Sequence, residues 1–466
     1  MSSKFPSRIL PGHQIPRCND GSHSACRPNG RGRPTMRVMV LSHGHPDLGA
    51  GGAERAAYSL FQKLKADPTV EKAVFVARAE HQAIGHSAFF GSFRGRPDEI
   101  LVAPPPVDGF TFQSQNYDLL KQLIMELIRH VRPDVVHVHH FIYWGLDIFE
   151  LFQQAGVRVV FTFHEYAAIC AHFGQMIKTN GRLCYAASPA ECSQCFPRMS
   201  AGKFFVRESI AKMFFDNVDA FVAPSSFLKD RFVAWGLPAE RIAVIENIMD
   251  QGVLHRSHAP TGRKLVSVET SRPLTLAFFG QINPYKGVDV LLEACASLPK
   301  KIRKRLAVRI HGENKHFQDT EFAQKIDRLL EETRDVVRLM GGYRNQDVVG
   351  LMQESDWVVI PSIWWENSPI VIQEARIAGR PMIYADIGGI AEKVDPELDL
   401  PFSAGSPGAL ADVIRLLVEG AFQADMGALS AHAKSRLAFD TENFDHHVAL
   451  YARDASTIER LGQLAS

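Results

Sequence analysis

The chain has almost no net charge. Its 466 residues carry 52 Lys and Arg against 51 Asp and Glu, a formal charge of +1. That balance gives no global attraction to nucleic acid, and no RNA- or DNA-binding motif is present. No uninterrupted apolar run reaches the roughly 18 residues needed to span a bilayer. The first residues also lack the apolar core of a signal peptide, so a cytoplasmic setting is expected. Only seven cysteines occur, which in that setting argues against a disulfide framework. No internal repeat of roughly 20–50 residues is visible, so a solenoid is not indicated. The full dinucleotide-binding glycine fingerprint is absent, which argues against an NAD enzyme.

What is there is the composition of an ordinary globular protein, 46% hydrophobic and 22% charged. The length exceeds what one core supports, so two domains of about 200 residues each are expected. Residues 1–35 form a basic tail with Lys4, Arg8, Arg17, Arg27, Arg31 and Arg33 against Asp20. It has almost no apolar side chains and is expected to be disordered. Short apolar runs then alternate with amphipathic stretches, the pattern of a parallel sheet with crossover helices. In the first half, over 36–250, the runs are Arg37–Ser42, Ala73–Ala77, Val135–Val138, Val157–Phe163 and Ala220–Ala223. Residues 251–273 are polar and aperiodic and read as a linker. A second alternation fills 274–438, with strands expected from Leu274, Ala307, Val336, Trp357 and Pro381. The fold class is therefore α/β, with two doubly wound domains that bind ligands at the carboxyl ends of their strands.

The segment Trp365-Glu366-Asn367-Ser368-Pro369-Ile370-Val371-Ile372-Gln373-Glu374 sets two carboxylates across a helix start. Ser368 suits the N-cap and Pro369 the first helical position. Backbone N–H groups at the positive end of the helix dipole would lie between Glu366 and Glu374, a ready anion site. A phosphate flanked by hydroxyls fits that arrangement, and nucleotide-sugars are such ligands. Upstream, Gly51-Gly52-Ala53-Glu54-Arg55 follows the first strand, where glycines let a backbone approach a ligand closely. His164 ends the run Val159-Val160-Phe161-Thr162-Phe163 and should point into the crevice. His137 and His139 share one strand face and are read as structural. Gly280-Gln281 and Lys286-Gly287 close one strand and open the next helix, with Lys286 a point charge for a diphosphate.

These segments resemble glycosyltransferase family 4, as do Arg132–His139, Thr162-Phe163-His164-Glu165, Ala223-Pro224-Ser225 and Gly388-Gly389-Ile390-Ala391-Glu392. They run in the family's order from about Met36 to Ala465. The resemblance implies the GT-B fold, two facing Rossmann-like domains with a cleft between them, and a last helix over 439–466 that crosses back to brace the first domain. It further implies a retaining transferase that moves a sugar from a nucleotide diphosphate donor to a hydroxyl acceptor. In that family Glu374 would bind the ribose and Glu366 the donor sugar. Asn367, Ser368 and Ile370 would offer N–H groups to the diphosphate. Gly51 and Gly52 would face it, and His164 would approach the reacting carbon. Many members carry arginine where Gln281 stands; glutamine can donate hydrogen bonds to a diphosphate but brings no charge. After Gly389 the usual glycine-asparagine-glycine turn is replaced by Asp395–Phe402, a segment expected to border the donor pocket.

No cofactor is needed for that chemistry, and no Asp-x-Asp pattern is seen near the expected cleft. Cys170, Cys184, Cys192 and Cys195 cluster in an insertion over 170–197 and form a candidate structural zinc site, with His172 as an alternate ligand. Buried free thiols or an oxidisable pair are the other readings. The expected partners are a nucleotide-sugar donor and a sugar or lipid-linked sugar acceptor. The run Lys203–Phe215 is amphipathic and could touch the inner face of a membrane, although such a stripe also suits a core. A nucleotide-sugar epimerase of the same fold and a non-catalytic nucleotide-sugar-binding scaffold are the rival readings.

Overall fold

A computed structural model describes residues 35–49, 51–85, 88–254 and 272–452. The expected basic tail, most of the expected linker and the end of the expected last helix lie outside them. Strands such as Val38-Met39-Val40-Leu41, with no polar face, must be covered on both sides, and all four residues are fully buried. The strands of the first half are β1 (Met36–Ser42), β2 (Val70–Arg78), β3 (Phe90–Ser92), β4 (Glu99–Val102), β5 (Val135–Val138), β6 (Arg158–Thr162), β7 (Ala220–Ala223) and β8 (Ile242–Val244). They form one sheet in the order β3-β4-β2-β1-β5-β6-β7-β8, parallel except for β3 on β4. The second half supplies β9 (Leu274–Phe279), β10 (Leu306–His311), β11 (Val337–Gly341), β12 (Trp357–Ile360), β13 (Met382–Ala385) and β14 (Leu400–Phe402). These pair in the order β11-β10-β9-β12-β13-β14, all parallel. The two doubly wound domains expected from the alternation are both present.

Each sheet reverses its winding once, between β1 and β5 in the first and between β9 and β12 in the second. The loops that leave these four strands carry most of the motifs singled out above, which is where a doubly wound sheet places its ligands.

Several elements differ from expectation. The short strands β3, β4 and β14 were not anticipated. Glu99 opens β4 with a charge, yet it is buried because His45, Tyr58 and Arg96 all hydrogen-bond to its carboxylate. Ser368 is not an N-cap: Pro369 occupies that position before helix Ile370–Ile377, and the Ser368 hydroxyl donates to Glu246 Oε1 in the first domain. The last helix begins at Met426 rather than 439, because Asp425 caps it by accepting from the N–H groups of Gly427 and Ala428. It does cross back. Asp440 accepts from Lys63 Nζ at 2.5 Å and from the Met249 N–H at 2.8 Å, and Tyr451 bonds His137 at 2.7 Å. No helix among the described residues is long and apolar enough to cross a membrane.

Candidate active site

Between the two domains lies a cleft of about 580 Å³, within the range typical of ligand sites. Every donor-site residue expected from the sequence lines it: Gly51, Gly52, His164, Gly280, Gln281, Lys286, Glu366, Asn367, Ser368, Ile370 and Glu374.

The second-domain wall is built from the loops after β9 and β12. Asn283 caps a tight turn by accepting from the N–H groups of Tyr285 and Lys286, both at 3.1 Å. Gly287 follows at φ 67°, and a Cβ there would lie 1.8 Å from the Pro361 carbonyl oxygen. Only glycine allows the two loops so close. That proximity lets Lys286 Nζ reach Glu366 Oε1 at 2.6 Å, while Ser362 Oγ donates to the same oxygen at 2.7 Å. Glu366 is almost fully buried and thus held as a paired carboxylate. Glu374, one turn into the next helix, is equally buried, yet its Oε1 has no hydrogen-bond partner. Burial pushes its carboxyl up to about 7, an effect that Arg55 partly offsets.

The first-domain wall contributes His164 just beyond β6. Burial lowers its pKa to about 3 and keeps the imidazole neutral. His164 Nε2 is 2.9 Å from His139 Nδ1, at the end of the neighbouring strand. The structural reading therefore holds for His137, which bonds Tyr451 and Thr162, but His139 instead holds the cleft histidine. His43, Glu54, Arg55 and Glu165 also line the cleft, and sequence reasoning gave them no role. Their signal was at hand, since Glu54 and Arg55 belong to the glycine motif and Glu165 follows His164. His43 Nε2 is 3.0 Å from Glu54 Oε1, and burial pushes Glu165 up to about 8.

The two walls touch. Asn367 Nδ2 donates to the His164 carbonyl, Tyr166 Oη to the Trp365 carbonyl at 3.2 Å, and Trp365 Nε1 to the Cys184 carbonyl at 2.9 Å. The cysteine-rich insertion thus packs on the residue beside Glu366. The Ser368 N–H is taken by Asn367 Oδ1 within the loop.

Two expectations about this region need correction. Among the described residues no group of three or more His, Cys, Asp or Glu side chains could hold a metal ion. The insertion's thiols have other partners: Cys184 Sγ donates to the Ala186 carbonyl at 3.3 Å, and Cys195 Sγ accepts from the Thr179 N–H at 3.2 Å. His172 Nδ1 bonds the Ile177 carbonyl at 2.7 Å, and burial pushes the Cys192 thiol up to about 11. The four-thiolate ligand set is not assembled. Segment Asp395–Phe402 does not line the cleft. Its buried Asp399 pairs with Arg376 and accepts from the Met382 and Asp395 N–H groups, which anchors the helix that carries Glu374.

Two family models match in tandem, Glycosyltransferase Family 4 over residues 50–252 and Glycosyl transferases group 1 over residues 266–433. The chain belongs to glycosyltransferase family 4. Among curated relatives, a D-inositol 3-phosphate glycosyltransferase of Nocardioides sp. is 28% identical over 42% of this chain and 45% of its own length. The lipopolysaccharide 1,2-N-acetylglucosaminetransferase of Salmonella typhimurium is 25% identical over 38% of this chain and 47% of its own. These matches span less than half the length of either relative. Solved structures cover far more. HepE of Anabaena, in complex with UDP and glucose, superposes over 92% of this chain and 98% of its own with a TM-score of 0.56 at 19% identity. A Rickettsia africae glycosyltransferase does so over 90% and 100% with a TM-score of 0.59 at 16% identity. At such identities the likeness speaks for the fold, which is GT-B.

Proposed function

We propose that this family member transfers a sugar from a nucleotide diphosphate donor to a hydroxyl acceptor, with retention at the anomeric carbon. The observation that carries this reading is the helix start flanked by two buried carboxylates, one paired with a lysine and one unpartnered, facing a neutral histidine across the cleft. In this reading Glu374 takes the ribose hydroxyls, which satisfy its orphaned oxygen, and Glu366 holds the donor sugar. Lys286 and the start of helix Ile370–Ile377 neutralise charge as it builds on the diphosphate. The bond from the anomeric carbon to the phosphate oxygen breaks while the acceptor oxygen bonds on the same face. The acceptor proton passes to the departing phosphate oxygen, and His164 hydrogen-bonds sugar or acceptor oxygens. The known UDP complex of HepE makes a UDP-sugar the first donor to try. The lipopolysaccharide relative points to envelope or extracellular polysaccharide assembly.

A membrane-bound acceptor is compatible with helix Ala201–Phe215. Phe204, Phe214 and Phe215 are core, but Phe205, Val206 and Met213 stay exposed at 62%, 52% and 55%. Liposome flotation that leaves the protein in the soluble fraction would remove that contact from the reading.

The deciding experiment incubates the protein with UDP- and GDP-sugars, with and without saccharide acceptors. Acceptor-dependent release of nucleoside diphosphate and a glycosylated product are expected. A new sugar epimer formed without acceptor would replace the transferase with an epimerase. A nucleotide-induced rise in melting temperature without turnover would leave a binding protein, and no rise at all a scaffold.

A further inference from the structure

The cleft is lined by five carboxyl side chains, Glu54, Glu165, Glu313, Glu366 and Glu374, but by only two permanent cations, Arg55 and Lys286. Lys286 is already matched to Glu366 at 2.6 Å. A nucleoside diphosphate adds further negative charge to this lining. Gln281, which also faces the cleft, can donate a hydrogen bond but offers no charge. The proposed donor therefore needs a positive group that is not already spent.

Arg55 meets that description. It sits in the first turn of helix Gly52–Ala66, on the opposite domain from Lys286. Its Nη1 donates to Asn345 Oδ1 of the second domain at 3.1 Å, a neutral partner that fixes the guanidinium without cancelling its charge. Among the described residues no carboxylate pairs with it directly; Glu374 feels its charge only from a distance. A Cβ at Gly52 would be 3.9 Å from Ile370 Cδ1, so the starts of the two helices meet face to face.

We propose that Arg55 is a donor-binding residue that pairs with the diphosphate from across the cleft and supplies the charge Gln281 lacks. This rests on the nucleotide diphosphate reading above. The planar guanidinium fork matches phosphate oxygens two at a time, which an ammonium does not. Lys286 and Arg55 belong to different domains, so the diphosphate itself becomes the bridge between them. A nucleoside, which lacks that bridge, gains only the effect of Arg55 on the Glu374 carboxyl.

Calorimetric titration of the full chain with UDP, GDP, uridine and guanosine tests this in wild type, Arg55→Ala, Arg55→Lys and the double variant Arg55→Ala, Gln281→Arg. Arg55→Ala should weaken the diphosphate that binds by about tenfold or more and its nucleoside by a much smaller factor, through the Glu374 carboxyl on which Arg55 acts. Arg55→Lys should recover part of the loss, and Gln281→Arg should restore most of it from the other wall. Arg55→Ala protein that binds diphosphate as tightly as wild type, or that loses diphosphate and nucleoside by one common factor, would overturn the proposal. Wild-type protein that binds neither diphosphate would overturn the transferase reading itself, and Arg55's role with it.

Discussion

His139 Nδ1 and His164 Nε2 lie 2.9 Å apart, so one buried imidazole sets the orientation of the other. Both rings are kept neutral by burial, and the pair therefore shares one proton on that contact. Replacing His139 by Phe should free the cleft histidine to rotate. Turnover should fall by about 10- to 100-fold from misplacement alone, with nucleotide affinity unchanged. His139→Asn, which can still bond a ring nitrogen, should recover part of the loss in steady-state assays.

Lys286→Met would leave Glu366 buried with Ser362 as its remaining direct partner. Removing one member of a buried pair costs about 3–5 kcal/mol, and the partly exposed lysine places this case at the lower end. Chemical denaturation should show that loss, and turnover should drop by about 10²- to 10³-fold. A variant as stable and as active as wild type would detach the pair from the mechanism.

Gly287→Ala tests the approach of the two loops. Alanine at φ 67° is strained, and its Cβ would meet the Pro361 carbonyl. A stability loss of about 1–3 kcal/mol is expected, together with weaker nucleotide binding as Lys286 moves off Glu366. Denaturant melts and UDP titration read the two effects separately.

Glu374 gives a pH signature. Its carboxyl ionises at about 7 in the fold against 4.5 for an unperturbed glutamate. Between those values the native state binds the proton more tightly than the unfolded chain does. Stability from this group is thus full below pH 4.5, declines as pH rises through 7, and then levels off. Glu374→Gln should raise the melting temperature at pH 8 and leave it unchanged at pH 4. The same substitution should abolish the nucleotide-induced shift, so that stability is gained as binding is lost.

Much of the donor wall was legible because its signals are local. The spacing of Glu366 and Glu374 across a proline-led helix start, and the glycine after Lys286, need no knowledge of distant chain. What was missed depends on partners far away. His139 meets His164 because β5 and β6 pair with Val138 opposite Phe161, a register no local pattern reveals. Ser368 has the chemistry of an N-cap, but Glu246 of the other domain claims its hydroxyl. The Cys192–Cys195 spacing suggested a metal, whereas where a sulfur points is decided by tertiary packing. The last helix starts before 439 because Asp425 caps it at Met426.

Asp440 ties the last helix to Lys63 and to Met249 at the point where the chain leaves the first domain. The chain therefore crosses between domains twice, outward after Met249 and back along the last helix, and one carboxylate joins both crossings. Opening the cleft would break the bonds of Asn367 to the His164 carbonyl and of Ser368 to Glu246, whereas the Asp440 junction lies away from the cleft lining and can stay fastened.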